Sequence, residues 1–126
     1  RPPIVSELMH SSEHVVLVVD DHPLIRMDTA DLIVSCGCTT IEAINADDAV
    51  AHLERRSDIR CVVTDVEMPG GMDGIRLAKL IRARWPDIAI VVVSGRTLVD
   101  SDDLPDGIPF LAKPLRRDCL RPHLRP

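Results

Sequence analysis

Asp20-Asp21, Asp65, Ser94 and Lys113 each stand directly after a short apolar run: Val15 to Val19, Cys61 to Thr64, Ala89 to Val93 and Phe110 to Ala112. If the runs are strands of one parallel sheet, these polar residues fall on its carboxyl edge, where open α/β sheets put their ligand sites. Three carboxylates, a hydroxyl and an ammonium then converge. Like charges about 4 Å apart repel by roughly 4 kcal/mol at an effective dielectric of about 20, so the acids cannot stay ionised together without a cation. Short oxygen-bearing side chains favour a hard ion, and Mg²⁺, which keeps several waters, suits a site with few protein ligands. A carboxylate can also attack phosphorus and form an acyl phosphate. The cation and Lys113 would neutralise charge on the transferring phosphoryl oxygens, and Ser94 would donate a hydrogen bond to one of them.

The elements that must position these groups follow from pattern. The strand-like runs are apolar without alternation, as a parallel sheet covered on both faces requires. Thr39 to Ala43 adds a further strand. Between the strands lie helical stretches. One starts at His22-Pro23, with Asp21 as a plausible cap, and runs to about Ser35, with Gly37 as its stop. Another covers Ala46 to Arg56 behind an Asn45 cap, with Ala49, Val50 and Leu53 on one face. A third opens at Asp73 or Gly74 and continues through Arg84 until Pro86 ends it; either Ile75, Ala78 and Ile81 or Leu77 and Leu80 face inward. A short last helix is expected from Leu115 to Arg121, cut off by Pro122. Strands alternating with helices predict an α/β fold with a parallel sheet and helices on both faces.

At 126 residues the chain is one domain. A net charge of -5 leaves no electrostatic footprint for nucleic acid or an anionic membrane. With one Trp, one Phe and no Tyr, it also lacks platforms for stacking bases. No apolar run reaches the roughly 18 residues of a spanning helix, and residues 1–13 are polar and proline-broken rather than secretory. That segment reads as a flexible leader, with the folded domain at 14–126. The chain does not begin with Met, so it can be a piece of a longer protein. Cys61 lies in an apolar strand and reads as a small hydrophobe; Cys36-Gly-Cys38 has no second cluster at zinc spacing, and reduced thiols in a cytoplasmic protein are the simpler reading. Of 15 Lys plus Arg, only Lys79 and Lys113 are Lys, which makes Lys113 after its strand conspicuous.

Taken together, Val18-Val19-Asp20-Asp21, Thr64-Asp65-Val66-Glu67-Met68-Pro69 with Met72-Asp73-Gly74, Val93-Ser94-Gly95 and Phe110-Leu111-Ala112-Lys113-Pro114 resemble the receiver domain of bacterial two-component response regulators, in family order and over about Val15 to Leu120. Each piece alone is weak; the set at compatible spacing is specific. The resemblance implies a (βα)₅ doubly wound, flavodoxin-like fold with strand order 2-1-3-4-5. It implies Asp65 as phosphoacceptor, and Mg²⁺ held by Asp21, Asp65 and the Glu67 main-chain carbonyl, with Asp20 helping through water. Lys113 and Ser94 become phosphoryl contacts, and Lys113-Pro114 is expected to be cis, as in the family. Ser94 and Phe110 occupy the family's switch positions, although Phe110 also reads as a core side chain. Glu67 and Arg96 each lie two residues past a site residue and would flank the mouth where water enters, controlling phosphoryl lifetime. His22, beside the acid pair, reads as an exposed first-turn residue rather than a metal ligand.

The implied function is phosphorelay signalling. The partner is a histidine kinase or phosphotransfer protein, the output partner is unknown, and the only catalysis is the domain's own phosphorylation and dephosphorylation. Two other classes compete. A phosphate-independent interaction module of receiver shape is disfavoured because every acid and the Lys are present. An aspartyl-phosphate hydrolase is disfavoured because Asp65-Val66-Glu67 after a third strand does not fit its early Asp-x-Asp. Two departures from the family pattern stand out. Gly70-Gly71 lengthens the turn after Asp65 by one residue. The stretch from Arg96 to Pro109, with Asp100, Asp102, Asp103, Asp106, Pro105 and Pro109, predicts a shortened fourth helix of one or two turns near residues 97–103.

Overall fold

The structure is a computed structural model that describes residues 15–67, 73–95, 104–105 and 107–124. The expected leader, the lengthened turn at residues 68–72, Arg96 and the expected helix near 97–103 lie outside the described residues. Five parallel strands form one sheet in the order β2-β1-β3-β4-β5. They are β1 (Val15–Val19), β2 (Thr39–Ala43), β3 (Ile59–Asp65), β4 (Ala89–Ser94) and β5 (Phe110–Ala112). The helices are α1 (Pro23–Ser35), α2 (Ala46–Arg55), α3 (Gly74–Arg84) and α4 (Arg117–Leu120), the last followed by a 3₁₀ turn at Arg121–His123.

The period of two along the central strands sorts their side chains into two cores. Leu17, Val19, Val62, Ile90 and Val92 face one side with Ala49, Leu53, Leu77, Ala78 and Ile81 from α2 and α3. Val16, Val18, Cys61, Val63, Val91 and Val93 face the other with Ala30 and Ile33 from α1 and Leu120 and Leu124 from the C-terminal turns. Both faces of the sheet are therefore covered, which explains why its central strands carry no polar alternation. Phe110 is half-buried against the first core, in agreement with a packing role. Burial pushes the Cys61 thiol up to about 12, so it behaves as the expected small hydrophobe.

Several local expectations need correction. β3 begins at Ile59 rather than Cys61 and includes Asp65 itself, because pairing with β1 and β4 recruits flanking residues that the apolar run does not reveal. α2 ends at Arg55, one residue early. The cap of α1 is His22, whose Nδ1 accepts from the Ile25 N–H at 3.4 Å; with Pro23 as the first helical residue, Asp21 stands one place too early. The buried stripe of α1 is Thr29, Ala30 and Ile33, whereas Leu24 is 68% exposed and Met27 51%. Apolar residues lie on both sides of this helix, so its pattern could not select a face. Of the two faces open for α3, the structure buries Leu77, Ala78 and Ile81, with Ile75 and Leu80 partly covered. The last helix covers only Arg117–Leu120; Pro122 does not break the chain's helical course but sits early in the 3₁₀ turn, where a missing N–H costs nothing.

The remaining caps follow the sequence. Asn45 Oδ1 accepts from the Asp48 N–H at 2.8 Å, and Asp48 Oδ2 reciprocates by accepting from the Ile44 N–H at 3.0 Å. Asp73 Oδ1 accepts from the Arg76 N–H at 2.9 Å and starts α3. Gly37, at φ 94°, ends α1 in the left-handed conformation that glycine adopts freely.

Gly74 has a different reason. The first residue of α3 lies directly on the backbone that follows β3, and its N–H donates to the Val66 carbonyl at 2.9 Å. A Cβ built there would overlap the Asp65 carbonyl oxygen and crowd Val66. Because the obstacle is backbone, it cannot rotate aside. Gly74→Ala is expected to destabilise the fold by ~1–3 kcal/mol through overpacking, despite alanine's better helix propensity. Urea unfolding checks this: an unchanged or higher midpoint would contradict so close an approach.

Candidate functional site

The carboxyl ends of β1, β3, β4 and β5 bring the sequence-selected groups together. Asp20 follows β1, Asp65 and Ser94 end β3 and β4, and Lys113 follows β5. The register is direct: Val19 pairs with Thr64, Asp65 with Val93, and Ser94 with Ala112. Carboxylate oxygens of Asp20, Asp21 and Asp65 all lie within 4.8 Å of one another.

Their environments differ. Asp20 is 4% exposed and its side chain already has protein partners: Oδ1 accepts from the His22 N–H at 2.9 Å and Oδ2 from Lys113 Nζ at 3.2 Å. Asp21, the next residue, is exposed. Asp65 lies between them in depth, and its Oδ1 is 3.5 Å from Lys113 Nζ. At that length the ammonium acts on Asp65 mainly as a charge, and Oδ1 is buried without a hydrogen-bond partner among the described residues. Burial pushes the Asp65 carboxyl above its ordinary range; the Lys113 charge pulls it back, and Asp20 pushes it up again.

The surrounding backbone is pinned. The Val66 N–H donates to the Val93 carbonyl at 2.9 Å, the Lys113 N–H to the Ser94 carbonyl at 2.9 Å, and the Asp20 N–H to the Ala43 carbonyl at 3.1 Å. Ser94 is buried, and Lys113-Pro114 is cis, as the resemblance implies. Glu67 is exposed two residues beyond Asp65, while Arg96 lies outside the described residues. His22 is not among the clustered acids and serves as the helix cap instead.

The donor set fits a hard divalent cation. All the clustered atoms are carboxylate oxygens, Asp65 carries a buried oxygen without a hydrogen-bond partner among the described residues, and the mutual distances suit a shared ion. Two features went unnoticed in the sequence. Arg26, on the second turn of α1, reaches back so that one guanidinium nitrogen donates to the Asp20 carbonyl at 3.0 Å. The available signal was an arginine five residues after Asp21 on a helix that starts at the acid pair. The second is a groove of about 490 Å³ beside Lys113, lined by Ile25, Asp28, Leu32, Pro114 and Leu115 among others.

The chain is similar to known proteins in sequence and fold. The family model described as response regulator receiver domain matches residues 16–125. The sensor kinase/phosphatase CqsS of Vibrio cholerae, named for the autoinducer CAI-1, is 32% identical over 116 residues, which cover 86% of this chain and 16% of that protein. The sensor histidine kinase RcsC of Escherichia coli is 32% identical over 114 residues, covering 88% and 12%. The chain thus spans less than a fifth of the length of these relatives. Among solved structures, a response regulator receiver protein from Pseudomonas putida is 32% identical with a TM-score of 0.76, covering 85% of this chain and 91% of its own. The response regulator TrrA of Thermotoga maritima, solved with Mg²⁺ and a beryllium fluoride, is 26% identical with a TM-score of 0.75, covering 86% and 94%.

The Asp65 environment makes a test that needs no partner. A proton binds Asp65 more tightly in the folded chain than in the unfolded one, so ionising it costs stability above the folded pKa and costs nothing below the unfolded value near 3.8. Without divalent cations, Asp65→Asn is therefore expected to raise the unfolding midpoint at about pH 7, with a gain that shrinks as the pH falls through the carboxylate range. A variant less stable at neutral pH, or a gain that grows with acid, would contradict the environment described.

Proposed function

The chain belongs to the response regulator receiver domain family, and from that premise we propose that it accepts a phosphoryl group on Asp65 in a Mg²⁺-dependent reaction and thereby switches the binding of a partner. The observation that carries this reading is the crowding of Asp20, Asp21 and Asp65 within 4.8 Å, with Lys113 beside them. Phosphorelay signalling is the family's business; the assignment of roles to these side chains is ours.

Asp21 and Asp65, with the Glu67 main-chain carbonyl, would hold the cation directly. Asp20, whose oxygens are engaged by His22 and Lys113, would act through water. When bound, Mg²⁺ supplies positive charge against the phosphoryl oxygens. The Asp65 carboxylate attacks phosphorus, the bond from phosphorus to the donor breaks, and an acyl phosphate remains on Asp65. Lys113, within 3.5 Å of Asp65, moves its charge from the carboxylate to the phosphoryl group. Ser94 donates to a phosphoryl oxygen and, with Phe110, relays the change to the partner surface. Glu67 and Arg96, each two residues past a site residue in sequence, would set the lifetime of the acyl phosphate. If the two side chains pair at the surface, the pair would add only ~0–1 kcal/mol to stability, so its effect would be on rate.

The donor we propose is a histidine kinase or phosphotransfer protein. Support comes from the kinase relatives and from the groove beside Lys113, where Ile25 of α1 is exposed, with Leu24 and Met27 exposed elsewhere on the same helix. No helix among the described residues is long and apolar enough to cross a membrane. A cytoplasmic location belongs to the proposal, as does the absence of any catalysis beyond the domain's own phosphorylation and dephosphorylation.

Phosphorylation by a small phosphodonor tests the reading. The wild type is expected to be labelled only with Mg²⁺, and Asp65→Asn to lose nearly all labelling. Asp21→Asn should weaken Mg²⁺ binding more than Asp20→Asn. Undiminished labelling of Asp65→Asn, or the reverse order for the pair, would remove the assignment.

A further inference from the structure

Asp20 is held by its backbone as well as by its side chain. Its N–H donates to the Ala43 carbonyl of β2 at 3.1 Å, and its carbonyl accepts from Arg26 at 3.0 Å. The Arg26 Nε in turn donates to Glu42 Oε1 at 2.8 Å, and Glu42 lies on β2, paired with Val18. The guanidinium thus spans the end of β1 and the edge strand. Its side chain is 15% exposed against 39% for Glu42, so this is not a loose surface pair. The Arg26 N–H also donates to the His22 carbonyl at 2.9 Å, within the first turn of α1. The Asp20-Asp21-His22 segment is therefore clamped from the strand side and from the helix side.

We propose that Arg26, anchored by Glu42, is a positioning residue for the acid pair: it fixes the Asp20-Asp21 peptide and so the reach of Asp21 toward the cation. The inference rests on the metal reading given above. Two effects of the guanidinium oppose each other. Its positive charge near the carboxylates would weaken cation binding, whereas the fixed peptide would strengthen it. The charge is largely compensated by Glu42 at 2.8 Å, and Arg26 touches the site through a carbonyl rather than a carboxylate, so position outweighs charge. A lysine cannot replace it, because one ammonium lacks the planar fork that serves both acceptors at once.

The test titrates Mg²⁺ calorimetrically into the whole chain for wild type, Arg26→Ala, Arg26→Lys and Glu42→Ala, with Asp21→Asn as the control for the metal site. Amide hydrogen exchange is followed in parallel without metal. Arg26→Ala is expected to bind Mg²⁺ roughly ten-fold more weakly, as loss of a group supporting metal ligands does. Arg26→Lys should fail to restore affinity, and Glu42→Ala should weaken it in the same direction. Exchange should quicken at residues 20–22 without a matching change elsewhere, which general destabilisation would not produce. If Arg26→Ala does not fold, Arg26→Lys and Glu42→Ala carry the same comparison. Affinity that is unchanged or tighter in Arg26→Ala, or fully restored by Lys, overturns the role of Arg26. A wild type without saturable binding that Asp21→Asn removes instead sinks the metal reading itself.

Discussion

The dominant constraint in this molecule is electrostatic: three carboxylates lie within 4.8 Å of one another at the edge of an apolar sheet. Separation or exposure would relieve the repulsion, yet the fold permits neither for Asp20 and Asp65. Parallel pairing fixes the ends of β1 and β3 side by side, and both cores press on the apolar residues that make up all of β1 and Cys61 to Val63 of β3. Lys113 offsets part of the repulsion, at 3.2 Å from Asp20 and 3.5 Å from Asp65. What it leaves is a buried oxygen on Asp65 without a hydrogen-bond partner among the described residues. Such a donor set is suited to a divalent cation, which would supply the positive charge and the ligand bond that the carboxylates lack.

The support around the acids is built from backbone as much as from side chains. α3 can approach the end of β3 only because Gly74 has no Cβ to meet the Asp65 carbonyl. α1 begins on His22, whose N–H holds one Asp20 oxygen while its ring caps the helix. Arg26 and Glu42 tie the same corner to the edge strand. The carboxylates are thus placed by short, well-packed links, and a reaction that needs a fixed ligand geometry benefits from that rigidity.

Much of this was legible in the sequence. Strands buried on both faces announce themselves as unbroken apolar runs, and a polar residue at the end of each run marks the shared edge, so Asp20, Asp21, Asp65, Ser94 and Lys113 could be selected together. Less legible were features decided by tertiary contact. The buried face of α1 was hidden because Leu24 and Met27 are as apolar as Ile33 yet stay exposed. The start of β3 at Ile59 depends on its neighbours rather than on its own composition. Arg26 looked like one helical arginine among many, since its role comes from reaching back to a strand end. The short C-terminal helix and its end before Pro122 were foreseen, but not the 3₁₀ turn that accommodates the proline after it.

A crystal structure of the chain with Mg²⁺ and a beryllofluoride phosphoryl mimic tests the central claim most directly. The account predicts beryllium bonded to an Asp65 carboxylate oxygen, Mg²⁺ touching Asp21 and Asp65, and Lys113 turned toward a fluoride. Mg²⁺ bound away from these acids, or a mimic seated on any other residue, would contradict it.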